Sequence, residues 1–307
     1  MKPNIVNTNS TQSVGTWEKS ITSAMVGFGG ASSSGKTKII NSILYYLGRK
    51  DIGVICLDGY HKHGRQTRKN IKEFPEQIEA NHFDRLCSDL AKLKSSISIN
   101  VPLYDHKKGI LEASRKLHPK LIYLIEGLHG ANINQICNSN TIDCQILLDT
   151  ESNLRKSWKV KRDIETRYYN YGDVIDEISK RRQYVNNIIY TQQKSSDIII
   201  RIFRESPIKQ KIYIKDEFIN AHQYLKKLLR LIKDDLPLGF KTYLNETHLV
   251  TGINEKEICN FIKDNPFKER ITYAYNEKLF CKLFSFPFTT NVIVLIILTI
   301  LVSKEKQ

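Results

Sequence analysis

The apolar positions of this chain fall in short unbroken runs separated by polar turns and longer helical stretches. Residues 24–28 (AMVGF) are the first run; it ends in glycines, and residues 37–47 follow as an apolar-rich helical stretch stopped by Gly48. The pattern predicts strand, loop, helix. Residues 54–57 predict a second buried strand ending at Asp58, and the basic segment after it (HKHGRQTRKN, 61–70) has no apolar periodicity and predicts an exposed loop. Residues 121–125 (LIYLI) and 146–148 (ILL) predict further strands, each followed by an acid, Glu126 and Asp149, and residues 198–202 (IIIRI) predict another. Strands alternating with helical stretches give an α/β fold with a mostly parallel sheet and crossover helices on both faces. In such a sheet ligands sit beyond the carboxyl ends of the strands, so Gly30, Asp58 and Glu126 are expected at one edge.

Beyond about residue 205 the pattern changes to KIYIKDEF, then a Leu/Lys-rich amphipathic stretch (HQYLKKLLRLIKDD), then less legible strands. The expected organisation is a leader over residues 1–20, a core domain over 21–205 and a mixed α/β C-terminal extension over 206–307 packed on the core. The leader is rich in Asn, Thr and Ser and has no apolar h-region, so it does not read as a secretory signal. Residues 292–302 (VIVLIILTILV) are apolar but too short for a span, which needs roughly 20 residues. A packed terminal helix or strand is expected there, with no membrane contact; counted from 284 to 302, the run would instead make a C-terminal anchor.

Composition narrows the classes. Hydrophobic residues at 41% and charged residues at 26% exclude global disorder. The 47 Lys and Arg against 32 Asp and Glu leave a net charge of +15, which points to an anionic partner: nucleic acid, a lipid surface or a phosphorylated metabolite. No aromatic-rich basic stripe favours nucleic acid. The six cysteines, Cys56, Cys87, Cys137, Cys144, Cys259 and Cys281, form no C-x-x-C pair and lack the density of a secreted disulfide scaffold, so a reducing, cytoplasmic setting is expected. No His/Cys spacing suggests zinc.

The sharpest signal is residues 30–37 (GASSSGKT), a full match to G-x-x-x-x-G-K-[ST] between a predicted strand and a predicted helix. Gly30 and Gly35 let the chain turn so that backbone N–H groups of Ser32, Ser33 and Ser34 converge on a phosphate at the helix N-terminus. Lys36 reaches the β- and γ-phosphates, and the Thr37 hydroxyl is a Mg²⁺ ligand. ATP and Mg²⁺ are therefore the expected cofactors, on a P-loop NTPase-type sheet. Asp58, at the end of the second strand, stands where a carboxylate accepts the proton of a hydroxyl attacking the γ-phosphate. Glu126, at the end of the LIYLI strand, stands where an acid holds Mg²⁺.

These residues resemble the phosphoribulokinase/uridine kinase family of P-loop kinases, and its phosphoribulokinase branch above all. The blocks that carry the resemblance are the P-loop, VICLDGYH (54–61) with Arg65 and Arg68 after it, PLYDHKKG (102–109), IEGLH (125–129) and WKVKRDIETR (158–167). They cover residues 24–205, about the size of one domain. The resemblance implies that Asp58 is the catalytic base for a sugar hydroxyl and that Glu126 helps hold Mg²⁺. It implies that His61, Arg65, Arg68, Tyr104, His106, Arg162 and Arg167 engage a sugar phosphate and close over the phosphates, a task for which the guanidinium fork suits better than an ammonium.

Three departures stand out. Phosphoribulokinases of oxygenic phototrophs carry a redox cysteine pair; Cys56 occupies one position, but the P-loop offers only serines, so no active-site disulfide is expected. Gly59 replaces the second acid of the plant-type block and is expected to loosen substrate contacts. The C-terminal region is short and lysine-rich, which leaves homo-oligomer formation open. The implied reaction is transfer of the ATP γ-phosphate to O1 of ribulose 5-phosphate. The alternatives are a uridine/cytidine-type nucleoside kinase, a kinase for another phosphorylated polyol, a catalytically idle nucleotide-binding protein and, should the C-terminal run be an anchor, a membrane-attached kinase.

Overall fold

The computed structural model describes residues 23–204, 209–223, 225–226 and 242–244, with 296, 297, 300 and 304. The expected leader, most of the amphipathic stretch after His222, and Cys259 and Cys281 lie outside the described residues. In chain order the elements are β1 (Ala24–Gly29), α1 (Lys36–Leu47), β2 (Ile52–Cys56), a 3₁₀ turn (Leu57–Tyr60), α2 (Arg65–Ile71), α3 (Phe83–Lys94), β3 (Ile99–Asp105), β4 (Ile110–Leu117) and β5 (Ile122–Glu126). Then come α4 (Ile133–Ile136), β6 (Cys144–Thr150), α5 (Ser152–Glu165), α6 (Tyr171–Ser195), β7 (Ile198–Phe203), β8 (Lys209–Ile214), α7 (Asp216–Ala221) and β9 (Thr242–Leu244).

The main sheet runs β2-β5-β1-β6-β7-β8-β9. Its first five strands are parallel, and β8 and β9 are added antiparallel. Because successive side chains of a strand alternate faces, the apolar runs feed two cores. Ala24, Val26, Phe28, Ile122 and Leu124 point into a first core with Ile40 and Ile43 of α1 and Leu154 of α5. Met25, Tyr123 and Ile125 point into a second with Leu86, Leu90 and Leu93 of α3. Helices thus cover both faces, as the apolar runs predict for strands buried on both sides.

The chain leaves β1 toward β2 on one side and later returns to β6 on the other. The carboxyl end of β1 is therefore a topological switch point, where the flanking connections diverge and leave a crevice. Gly30 begins the P-loop there.

Ile296, Ile297 and Ile300 are helical and buried in the first core, each contributing on the order of 2 kcal/mol by leaving water. Lys304 donates to the Ser23 carbonyl at 2.7 Å and pairs with Asp143 at 2.7 Å. The described members of the 292–302 run thus pack into the core. Among the described residues no helix is long and apolar enough to cross a membrane.

Two local expectations are corrected. The basic segment 61–70 is not an open loop: residues 65–71 form α2, and His61 and Arg68 are buried. The Arg68 guanidinium can be covered because it donates to the His63 carbonyl and to the Tyr104 hydroxyl (3.1 Å), which satisfies a charge that burial would otherwise penalise. The cysteines are not all free thiols: Cys87 of α3 is disulfide-bonded to Cys137, just past α4, across 50 residues of sequence. Cys56 and Cys144 remain free.

Candidate active site

The P-loop follows directly from β1. Gly30 (φ 129°) and Gly35 (φ 101°) occupy backbone conformations that a side chain strains, and a Cβ on Gly30 would lie 2.5 Å from the Leu148 carbonyl oxygen. Ser33 is also left-handed, at φ 63°. The loop is pinned from below, where Thr150 Oγ1 donates to the Ser34 carbonyl at 2.9 Å. From above, Arg162 Nη2 donates to Ser32 Oγ at 3.1 Å.

Lys36 Nζ folds back onto the loop and donates to the carbonyls of Gly30 (2.7 Å) and Ala31 (2.9 Å). Burial lowers its pKa to about 8, against the pull of Glu126 and Asp58. The Ser33 hydroxyl is buried without a partner. A cradle with an orphaned hydroxyl and an ammonium resting on its own carbonyls fits a polyphosphate chain. Thr37 Oγ1 donates to Glu126 Oε2 at 3.0 Å, which places the two expected Mg²⁺ ligands side by side. Both are hard oxygen donors, and Mg²⁺ commonly needs only one or two of them beside water and substrate phosphate. Burial is the leading influence on the Glu126 carboxyl and raises its pKa.

Asp58 lies in the 3₁₀ turn that caps β2, next to β5 and its terminal Glu126. His106 Nε2 stands 3.2 Å from Asp58 Oδ2, and His61 Nε2 stands 3.5 Å from Oδ1. Burial alone would raise the pKa of this carboxyl, but the hydrogen bond from His106 and the charges of His61, His106 and Lys36 outweigh it and hold the group well below the usual carboxylate range. Asp58 is thus an ionised acceptor with both oxygens flanked by imidazoles. Burial lowers the pKa of His61.

Around them, the Tyr104 ring meets His61 and His106 edge-on at 5.6 and 5.1 Å. Arg65 donates to the His106 carbonyl and lies 4.7 Å above the Tyr169 ring. Arg68 lies 5.5 Å from the Tyr104 ring centroid. Each guanidinium carries five donors, so these contacts leave others for a ligand.

Arg162 and Arg167 meet at one carboxylate. Asp163, fully buried, accepts from Arg162 Nε at 2.9 Å and pairs with Arg167 at 3.3 Å and with Lys159 at 2.6 Å. Every residue named from sequence therefore falls into one of three linked groups: the P-loop with Thr37 and Glu126, the Asp58 cluster, and the Asp163 cluster. Sequence reasoning missed Asp163, Tyr169, Asn81 and the Glu76–Arg181 pair. The i, i+4 spacing of Lys159 and Asp163 was a readable signal for the first.

Two of the departures have a structural setting. A Cβ at Gly59 would meet the Pro102 carbonyl oxygen at 2.1 Å, so β3 presses on the turn and leaves no room there for an acid. Among the described residues no thiol is paired with Cys56, and burial, followed by Asp58 and Glu126, pushes its pKa far up. It is a poor thiolate.

A sequence model of the "Phosphoribulokinase / Uridine kinase family" matches residues 25–209. Phosphoribulokinase of Synechocystis sp. is 30% identical over 187 residues, which are 61% of this chain and 56% of that protein. Uridine kinase of Macrococcus caseolyticus is 29% identical over 185 residues, 57% of this chain and 86% of that protein. The chain spans 56% of the Synechocystis phosphoribulokinase and 39% of the chloroplastic one of Chlamydomonas reinhardtii, about half the length of such relatives. The solved phosphoribulokinase from Rhodobacter spheroides superposes with a TM-score of 0.55 at 18% identity, covering 83% of this chain and 99% of that one, a likeness of fold. With the family model spanning most of β1 through β7, this chain belongs to the phosphoribulokinase/uridine kinase family.

Proposed function

We propose that the chain is an ATP-dependent kinase that transfers the γ-phosphoryl group to a hydroxyl of a phosphorylated sugar, with O1 of ribulose 5-phosphate as the acceptor. The observation that carries this reading is Asp58: an ionised carboxylate flanked by two imidazoles, at the same sheet edge as the P-loop. Phosphoryl transfer asks the protein mainly for positioning and charge stabilisation. Asp58 accepts the acceptor's proton as the new O–P bond forms and the bond to the β,γ-bridging oxygen breaks, releasing ADP. Lys36 leaves the loop carbonyls for the phosphates, and Arg162 and Arg167, held by Asp163, stabilise the charge that spreads over the transferred group. Thr37 and Glu126 would hold Mg²⁺, which supplies further neutralisation of the β- and γ-oxygens.

The acceptor pocket favours an anion over a base. Tyr60 is buried and donates to Asp89, while the Tyr104 and Tyr169 rings lie against Arg68 and Arg65. These aromatics meet guanidinium groups where a nucleobase would stack. A nucleoside acceptor is the second reading, favoured by the chain spanning 86% of a uridine kinase.

A coupled ADP-release assay with Mg-ATP and ribulose 5-phosphate, uridine, cytidine or no acceptor separates the two. Turnover with ribulose 5-phosphate alone is expected. Turnover with nucleosides only would transfer the assignment to the second reading, and nucleotide binding without acceptor-dependent turnover with any of them would count against the proposal.

A further inference from the structure

The three groups of site residues are joined through the protein by a chain of buried polar contacts whose middle link is one ion pair. Glu76, whose side chain is 1% exposed, accepts a bidentate bond from the Arg181 guanidinium of α6, with Arg181 Nε 3.0 Å from Oε2 and Arg181 Nη2 donating to Oε1. A buried pair with this fork geometry resists reorientation, because losing either partner strands a charge away from water.

On one side the link runs to the base. The residues flanking Glu76 are Pro75 and Gln77, and both of their carbonyls accept from Asn81 Nδ2, at 3.2 and 2.7 Å. With its amide nitrogen so used, Asn81 turns Oδ1 to His61 Nδ1 at 2.8 Å. This fixes Nδ1 as an N–H donor to Asn81 and turns Nε2 toward Asp58 Oδ1, 3.5 Å away, where it donates only when the ring carries its second proton and the charge that favours ionised Asp58. His129 Nε2, 3.4 Å from the Pro75 carbonyl, holds the same loop from below.

On the other side Arg181 Nη1 donates to Glu177. Glu177 lies 3.5 Å from Lys159 Nζ, Lys159 bonds Asp163, and Asp163 holds Arg162 and Arg167. Arg162 in turn reaches Ser32 of the P-loop.

We infer that Glu76 and Arg181 are positioning residues: their ion pair fixes the 75–81 loop against α6, and through Asn81 it sets the tautomer and orientation of His61 beside the base while registering that loop to the phosphate arginines. Neither residue touches a reacting atom. The kinetic part of this inference rests on the kinase reading; the placement of His61 does not.

The test uses the full chain and the variants Arg181→Met, Arg181→Lys and Glu76→Gln, the last isosteric so that a folded variant is available. Histidine ring ¹⁵N spectra report the His61 tautomer directly, with His61→Asn to assign the signal. In Glu76→Gln and Arg181→Met the His61 ring is expected to lose its fixed Nδ1–H and to exchange between Nδ1–H and Nε2–H forms. Turnover in the preferred acceptor is expected to fall by about tenfold or more, as misplacing a reacting group does, with the acceptor KM raised and the ATP KM within about twofold. Arg181→Lys should recover part of the loss, since it restores charge without the fork. The double variant should be no worse than the poorer single one, the non-additivity expected of a coupled pair.

Variants that melt earlier but keep the His61 spectrum and the turnover of the parent would overturn the inference, as would additive losses. A parent with no turnover in any acceptor would sink the kinase reading alone, and the His61 spectra would still decide this one.

Discussion

Replacing Gly59 by Ala is the smallest change that separates close packing from looseness beside the base. The added Cβ would lie 2.1 Å from the Pro102 carbonyl oxygen, 2.7 Å from its carbon and 3.3 Å from the Leu103 nitrogen. Non-bonded heavy atoms rest at about 3.5 Å, so β3 must retreat by roughly 1 Å or the turn must tilt. Both partners are backbone, so no rotamer change relieves the contact. Overpacking of this kind costs about 1–3 kcal/mol, which for a domain of this size lowers Tm by about 2–4 °C per kcal/mol.

The functional effect should be larger than the thermal one. β3 ends at Asp105, and the next residue, His106, stands 3.2 Å from Asp58; a retreat of 1 Å breaks that contact, and a misplacement of that size costs on the order of 10²-fold in rate. Thermal melts by circular dichroism and steady-state turnover at 20 °C read the two effects separately. A Gly59→Ala variant that melts within about 1 °C of the parent and turns over at its rate would refute the packing argument.

Two further outcomes follow from the charge and covalent structure. Lys36 in the free protein has its pKa lowered by burial to about 8 from an ordinary 10.5, and bound phosphate favours its charged form. ATP affinity measured by calorimetry should therefore be level below pH 8 and weaken by up to about tenfold per pH unit above it. The stability of the ATP-free protein should move oppositely over the same window: between pH 8 and 10.5 the unfolded chain binds more protons at this group, so its contribution rises with pH. An ATP affinity flat to pH 10 would contradict the assignment. Removing the Cys87–Cys137 bond by Cys87→Ser frees a loop spanning 50 residues, worth about 4 kcal/mol in the chain-entropy estimate. The urea midpoint should drop accordingly while turnover at 20 °C, with dithiothreitol or without, stays level; oxidative inactivation reversed by reductant would contradict it.

What could be read from sequence followed from burial. β1 and β5 announce themselves because both faces of each strand are covered, so their residues are nearly all apolar, and β6 and β7 are marked by the apolar runs at 146–148 and 198–202. The P-loop is legible because its backbone demands glycine at two positions and its chemistry demands Lys36 and Thr37. The β3–β4 hairpin escaped notice for the opposite reason: seven of the eight residues of β4 are exposed, so no alternation marks it. The segment 61–70 reads as a solvated loop because its composition is basic, yet Arg65 and Arg68 are held by the His106 and His63 carbonyls and by aromatic faces, contacts that tertiary structure alone supplies. The same holds for Glu76 and Arg181, separated by 105 residues, and for Cys87 and Cys137. In the ion network of α5 and α6, Lys159–Asp163, Asp163–Arg167 and Glu177–Arg181 are local i, i+4 pairs, whereas Lys159–Glu177 and Glu76–Arg181 need the tertiary fold.

The most direct test of the account is Asp58→Asn. The substitution keeps the size of the side chain and its contacts with His61 and His106 but removes the charge that accepts the acceptor's proton. ATP affinity, measured separately by titration, should stay within about twofold, while turnover falls by a factor on the order of 10² or more, the usual consequence of losing a general base. Near-parental turnover in Asp58→Asn, with ATP still bound, would contradict the central claim that this carboxylate carries the proton in phosphoryl transfer.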